Sequence, residues 1–266
     1  TAYFAHSARL LAQIAEVIGR ADEATRYGEL ADHISTAFNN AFVDLDGHIQ
    51  GDTQAGYALS LHFDLLPKGL RPRAAHHMVE ALEPYGGAPS TGIHSTVKLM
   101  LELSRWGYHD RAYAILQRRD MPSWGYMVEH GGTTIWERWD GWVEDRGFQN
   151  PGMNSFNHYA IGAVGEWFYR VVGGLNPDES APGWQNFLIR PLPGGGLTQA
   201  RTDYRSIRGL IRSDWRIEDK AFFLDVTVPP NTTATVALPD GTRHPHVSSG
   251  NHTFHAPLDG FAGLTG

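Results

Sequence analysis

Between Trp124 and Trp142 the chain carries four tryptophans. They lie in Pro122-Ser123-Trp124-Gly125-Tyr126-Met127 and Thr133-Thr134-Ile135-Trp136-Glu137-Arg138-Trp139-Asp140-Gly141-Trp142. A sugar site needs aromatic faces on which pyranose C–H groups stack, and carboxylates that bind hydroxyls or move protons. Trp124, Trp136 and Trp139 around Glu137 supply both. The same residues equally fit a packing role, with Trp124 and Trp136 filling the centre of a helical barrel and Glu137 paired to Arg138 at its rim. Composition favours neither reading. Downstream, Asn154-Ser155-Phe156-Asn157-His158-Tyr159 opens a helical pattern with Ser155 as the expected N-cap and His158 in the first turn. A histidine there projects from a helix end toward a ligand, or simply caps the helix.

Other chemistries lack their residues. Gly194-Gly195-Gly196 follows Pro193 and precedes a strand, so it reads as a turn rather than a phosphate loop. Gly92-Ile93-His94-Ser95 lacks the Gly-x-Ser-x-Gly pattern of a nucleophile elbow. His76 and His77 are helix neighbours that do not face each other, so they make a poor metal pair. No metal ligand set and no cofactor are expected, and the isolated histidines read as hydrogen-bonding groups. The chain has no cysteine, which removes disulfides and thiolate chemistry.

The elements that must position these residues fall into two regions. Up to about residue 182, apolar positions recur at helical spacing. Phe4, Ala8, Leu11, Ile14, Ala15 and Ile18 mark a first helix, with Gly19 as its stop. Asp22 is expected to cap a second helix, with Tyr27, Leu30, Ala31, Ile34 and Phe38 on one face. Further helices are expected over 52–66, 71–83, 95–106, 109–119 and 155–172, with an irregular tryptophan-rich stretch over 121–151. A helix every 20 to 25 residues, roughly, implies stacked helical hairpins. From residue 183 the period becomes two. Ile207, Gly209, Ile211, Ser213, Trp215 and Ile217 alternate with polar residues, and Phe222, Leu224, Val226 and Val228 share a face, as do Ala234, Val236 and Leu238. The expected fold is mainly α with an appended all-β domain: helices over 1–182 and a small antiparallel β-sandwich over 183–266.

Composition narrows the partners. A net charge of −7 argues against nucleic acid, and no run of 18 apolar residues is present to span a membrane. The sequence opens at Thr1 in a helical pattern, with neither an initiator methionine nor a signal peptide. A processed or partial chain is therefore expected.

The two tryptophan motifs, together with Asn154-Ser155-Phe156-Asn157-His158-Tyr159-Ala160 and Gly165-Glu166-Trp167, closely resemble bacterial α-L-rhamnosidases of glycoside hydrolase family 78. The likeness extends to Gly51-Asp52-Thr53-Gln54 and to Val228-Pro229-Pro230-Asn231-Thr232-Thr233-Ala234. It implies an (α/α)6 barrel, here partial, followed by a β-sandwich. It also implies an inverting enzyme acting on rhamnose-containing glycosides, with Glu137 as general base and His158 on the rhamnose hydroxyls. Trp136, Trp139 and Trp124 match the aromatic residues lining the sugar subsite.

The sequence departs from that pattern in three places. The family's general acid sits in a Cys-Pro-Gln-Arg-x-Glu-Arg-type motif, which is missing here, and about seven helices are legible where the barrel has twelve. Both imply that the missing N-terminal half of the same enzyme completes the site. His94 stands where a more apolar Gly-Phe-x-Gly-Thr sequence is expected. Two other readings stay open: a related glycosidase for another sugar, and a non-catalytic carbohydrate-binding or scaffold fragment.

Overall fold

The computed structural model describes residues 1–258. It divides into two compact units, Thr1–Ile161 and a second from Gly162 onward. No helix among the described residues is long and apolar enough to cross a membrane.

The first unit is built of helical hairpins. α1 (Ala2–Val17) ends at Gly19, whose φ of +77° suits glycine. α2 (Ala21–Phe42) returns along it. Asp22 does not cap α2: Arg20 is the N-cap residue, and Asp22 lies inside the first turn, where its charge favours the helix dipole. Of the apolar stripe expected on α1, only the alanines are buried. Ala5, Ala8 and Ala15 are buried, whereas Phe4, Leu11, Ile14 and Ile18 are exposed. Small side chains let the two helices approach closely, leaving the bulky ones outside.

α3 (Gln54–His62) is shorter than its apolar pattern, and is capped by Thr53, whose hydroxyl accepts the Gly56 N–H at 3.1 Å. Gln54 is buried and does structural work. Its amide donates to the carbonyls of Ala81 and Ala88 and accepts from Ser90 N–H, pinning the connection that follows α4 (Arg71–Glu80). α5 (Thr96–Arg105) and α6 (His109–Gln117) complete the core around Tyr57, Leu61, Met78, Leu99, Leu103 and Tyr113. Residues 121–151 are less irregular than expected. They contain α7 (Trp124–Glu129) and a small ribbon of β1 (Trp142–Val143) with β2 (Gly147–Phe148).

The helix expected over 155–172 is not continuous. Helical structure begins at Tyr159, as α8 (Tyr159–Gly162) and α9 (Val164–Trp167), then passes into a π-helical turn over Phe168–Val172. Ser155 therefore caps no helix; its hydroxyl accepts the Asn157 N–H in a local turn.

The second unit holds two four-stranded sheets. β3 (Leu175–Pro177), β4 (Asn186–Ile189), β8 (Thr233–Ala237) and β9 (Arg243–Val247) form one, in that order. β4 and β8 run parallel; its other pairs are antiparallel. The other is fully antiparallel, in the order β10-β7-β6-β5, from β5 (Gln199–Ser206), β6 (Gly209–Glu218), β7 (Ala221–Val228) and β10 (Gly250–Pro257). Alternation holds on β7, where Phe222, Leu224, Val226 and Val228 are buried, and register sets Trp215 opposite Leu224. Ile207 breaks the expected run: it sits in the turn between β5 and β6 and is 86% exposed. Gly195 and Gly196 form a turn. Residues 259–266 of the expected sandwich lie outside the described residues.

Candidate carbohydrate site

The tryptophan motifs meet because α7 is held tightly at both ends. Ser123 caps it, its hydroxyl accepting the Tyr126 N–H at 2.9 Å. At Gly125 a Cβ would fall 2.2 Å from the Arg118 carbonyl oxygen, so only glycine allows this approach. At the far end Gly132 donates its N–H to Met127 O at 2.8 Å, and its own Cβ position lies 3.1 Å from Trp136 Nε1. The chain thus folds back and lays Trp136 onto the helix.

Trp136 is 4% exposed and packs edge-on against Tyr126 and Phe156, with ring centroids 6.4 and 5.3 Å away. Trp124 is buried too, donates to Ile161 O at 3.3 Å, and meets Trp139 edge to face at 5.1 Å. Trp139 is partly buried and donates to Thr91 O at 2.9 Å. Trp124 and Trp136 therefore build the wall, and Trp139 is its more accessible member.

Glu137 follows a buried tryptophan but is itself half-buried. Its N–H donates to Ser155 O at 2.8 Å, and Ser155 N–H donates back to Glu137 Oε2 at 2.9 Å. His158 N–H donates to Ile135 O at 2.9 Å, and Thr134 Oγ1 donates to Phe156 O. These four bonds lace the two motifs together and explain why residues 155–158 are not helical: their backbone groups are spent on the glutamate segment. Glu137 Oε1 has no partner among the described residues. The pairing of Glu137 with Arg138 does not form. Arg138 instead grips Asp140 through two hydrogen bonds of 3.0 and 2.9 Å.

His158 is half-buried, and its Nδ1 accepts the Ala160 N–H at 3.2 Å. A nitrogen that accepts carries no proton, so Nε2 is the N–H of the neutral ring and is available as a donor. His94 lies in the turn before α5, its carbonyl taking the Tyr3 hydroxyl at 2.8 Å and its ring 6.0 Å from that of Tyr3.

Asn154 plays a part that its sequence position did not announce. Its amide donates to Gly141 O at 2.8 Å and Gln149 O at 3.3 Å, tying down the loop after Trp139, while its Oδ1 is buried with no donor among the described residues. A Cβ on Gly141 would stand 2.7 Å from that oxygen. The only advance signal was an amide next to Ser155 and a glycine next to Trp142.

Helical hairpins, a carboxylate in the loop that follows them beside an aromatic wall, and β-sheets beyond fit part of a six-hairpin glycosidase domain. The family model for the bacterial alpha-L-rhamnosidase 6 hairpin glycosidase domain matches residues 1–172, and that for the bacterial alpha-L-rhamnosidase C-terminal domain matches 174–253. The chain belongs to the bacterial α-L-rhamnosidase family. An α-L-rhamnosidase of Streptomyces avermitilis is 42% identical over 96% of this chain, and one of Formosa agariphila 38% identical over 95%. Among solved structures, the Streptomyces avermitilis α-L-rhamnosidase complexed with L-rhamnose superposes with a TM-score of 0.89 at 41% identity over 96% of the chain. That of Aspergillus terreus superposes at 0.88 with 39% identity over 96% of the chain. The chain spans about a quarter of its relatives' length: 26% and 27% of the two bacterial sequences, and 26% and 30% of the two structures.

Proposed function

We propose that this chain supplies the base-bearing part of an inverting α-L-rhamnosidase, which releases terminal α-L-rhamnose from glycosides. The general acid would come from residues outside this sequence. The observation that carries the reading is the lacing of the Glu137 segment to residues 155–158, which presents one carboxylate oxygen and one imidazole N–H beside the tryptophan wall. In this mechanism Glu137 takes a proton from water as the water attacks the anomeric carbon. The acid, ~6.5–9.5 Å away, protonates the departing glycosidic oxygen. One water enters, rhamnose leaves with inverted configuration, the freed alcohol carries the acid's proton, and the proton taken up by Glu137 returns through solvent to the acid. His158 Nε2–H donates to a rhamnose hydroxyl, and Trp139 offers its exposed surface to the sugar, supported by Trp124 and Trp136. The uncovered side of α1, with Phe4, Leu11, Ile14 and Ile18 outward, suits packing by further barrel helices.

The test is a chimera in which this chain replaces the matching quarter of the Streptomyces avermitilis relative. It is expected to hydrolyse a nitrophenyl α-L-rhamnoside and to release β-L-rhamnose first, as read by proton NMR. A folded chimera that binds rhamnose without hydrolysis would favour the carbohydrate-binding reading instead, and one selective for another glycoside would favour a related glycosidase.

A further inference from the structure

The turn between α2 and α3 is pressed against α4. Gly47 has φ +85°, and a Cβ there would lie 3.2 Å from Leu70 O and 3.4 Å from Ala74 N, so a side chain would push the turn away. Asp44 Oδ1 accepts the N–H groups of Asp46 and His48 at 2.9 Å each and fixes the turn's shape. Asp46 and His48 are thereby set over His77 of α4. The His48 and His77 rings stack with centroids 3.5 Å apart, and Arg73 holds Asp46 Oδ1 at 2.7 Å.

His77 is 7% exposed and faces oxygen acceptors at both ring nitrogens. Nδ1 lies 2.8 Å from Glu80 Oε2, and an ionised carboxylate only accepts, so Nδ1 carries the proton. Nε2 lies 3.3 Å from the Asp46 carbonyl and 3.6 Å from Asp46 Oδ2. With its proton on Nδ1, the ring turns the Nε2 lone pair toward Asp46, where it can take a cation. A cation would satisfy all three side chains. One ligand atom from each of Asp46, His48 and His77 lies within 4.8 Å of the other two. Glu80 also stands behind His77 as outer carboxylates stand behind metal-bound histidines, fixing ring orientation.

We propose that Asp46, His48 and His77 bind one divalent cation of the zinc type. Two imidazoles and one carboxylate suit such borderline ions better than calcium or magnesium, which prefer oxygen alone. Metal–ligand lengths of about 2.0–2.1 Å place tetrahedral ligand atoms about 3.4 Å apart. His48 therefore swings off the stack to close on the ion, and as an exposed side chain it is free to do so. Buried His77 is the fixed ligand, and water completes the coordination. The bound ion would clamp the turn onto α4. The site shares no residue with the surroundings of Glu137 and does not depend on the rhamnosidase reading.

The test is titration of the untagged 266-residue chain with Co²⁺, followed by visible absorption, and with Zn²⁺ in competition. One saturable Co²⁺ site, displaced by Zn²⁺, is expected. Binding should weaken by about tenfold or more in His48→Asn and Asp46→Asn, whereas the exposed His33→Asn on α2 should bind as the parent does. Because His77 is buried, His77→Gln is judged only if its circular dichroism matches the parent; His48→Asn carries the test without it. Absence of saturable binding up to about 1 mM, or equal affinity in His48→Asn, Asp46→Asn and His33→Asn, means an adventitious ion only and overturns the proposal.

Discussion

Gly125→Ala sets two physical effects against each other. Gly125 is the second residue of α7 and stands between Trp124 and Tyr126 of the aromatic wall. Helix propensity alone favours alanine by about 0.5–1 kcal/mol. The new methyl, however, would lie 2.2 Å from Arg118 O and 3.1 Å from Arg119 Cα, whereas non-bonded carbon contacts are comfortable near ~3.5–4.0 Å. Opening a gap of more than about 1 Å between two stretches of backbone costs about 1–3 kcal/mol or more, so the clash wins. At about 2–4 °C per kcal/mol for a chain of this size, Tm should fall by roughly 2–12 °C. Near-ultraviolet circular dichroism should change as Trp124 moves against Trp139. Gly92→Ala is the control: a Cβ there meets nothing within 4 Å among the described residues, and its stability should stay within about 0.5 kcal/mol of the parent. If Gly125→Ala melts with Gly92→Ala and keeps the parent's near-ultraviolet spectrum, the close packing of α7 is wrong.

Acid should weaken the second unit through Asp203. Its carboxyl is held down at about 2, first by the hydrogen bonds from Arg212 and then by that from Arg201. A depressed carboxyl contributes stability above its unfolded value near ~3.9 and loses it as pH falls from there through about 2. With the side chain 38% exposed, screening keeps the contribution below about 1 kcal/mol. Asp203→Asn should show a shallower fall of Tm between pH 5 and 2 than the parent, and an unchanged slope would contradict the pairing. In the chimera, His158→Ala should lower kcat/KM about tenfold, the loss of one hydrogen bond to the sugar. Losing the acceptor for Ala160 N–H should cost only about 1 kcal/mol of stability; full kcat/KM would remove His158 from the site.

The hairpin rhythm was legible because amphipathic helices repeat at 3.6 residues whatever lies around them, and the strands of the second unit because Phe222, Leu224, Val226 and Val228 share a buried face. What escaped depends on partners distant in sequence. Periodicity marks an apolar stripe on α1 but not which of its members a neighbour covers, and the alanines took that role. The pattern over 155–172 satisfies a helix, yet residues 155–158 find better partners in 134–137. The aromatic wall was visible as composition, but its assembly was not. Trp139 is oriented by Thr91, and the loop beyond it by Asn154, through backbone carbonyls that no side-chain pattern records. The histidines show the same limit: adjacent His76 and His77 are a poor ligand pair, and His77 stacks on His48, brought in by a turn that closes only because residue 47 is glycine.

The most direct test of the central claim is the turnover of Glu137→Gln in the chimera, measured with and without azide. The substitution keeps the side chain's size and its acceptor for the Ser155 N–H, and removes only the ability to take a proton from water. It should lower kcat by about 10²–10⁴-fold with little change in KM, and azide should restore part of the turnover as the inverted glycosyl azide. Turnover near that of the parent would contradict the assignment of Glu137 as the base.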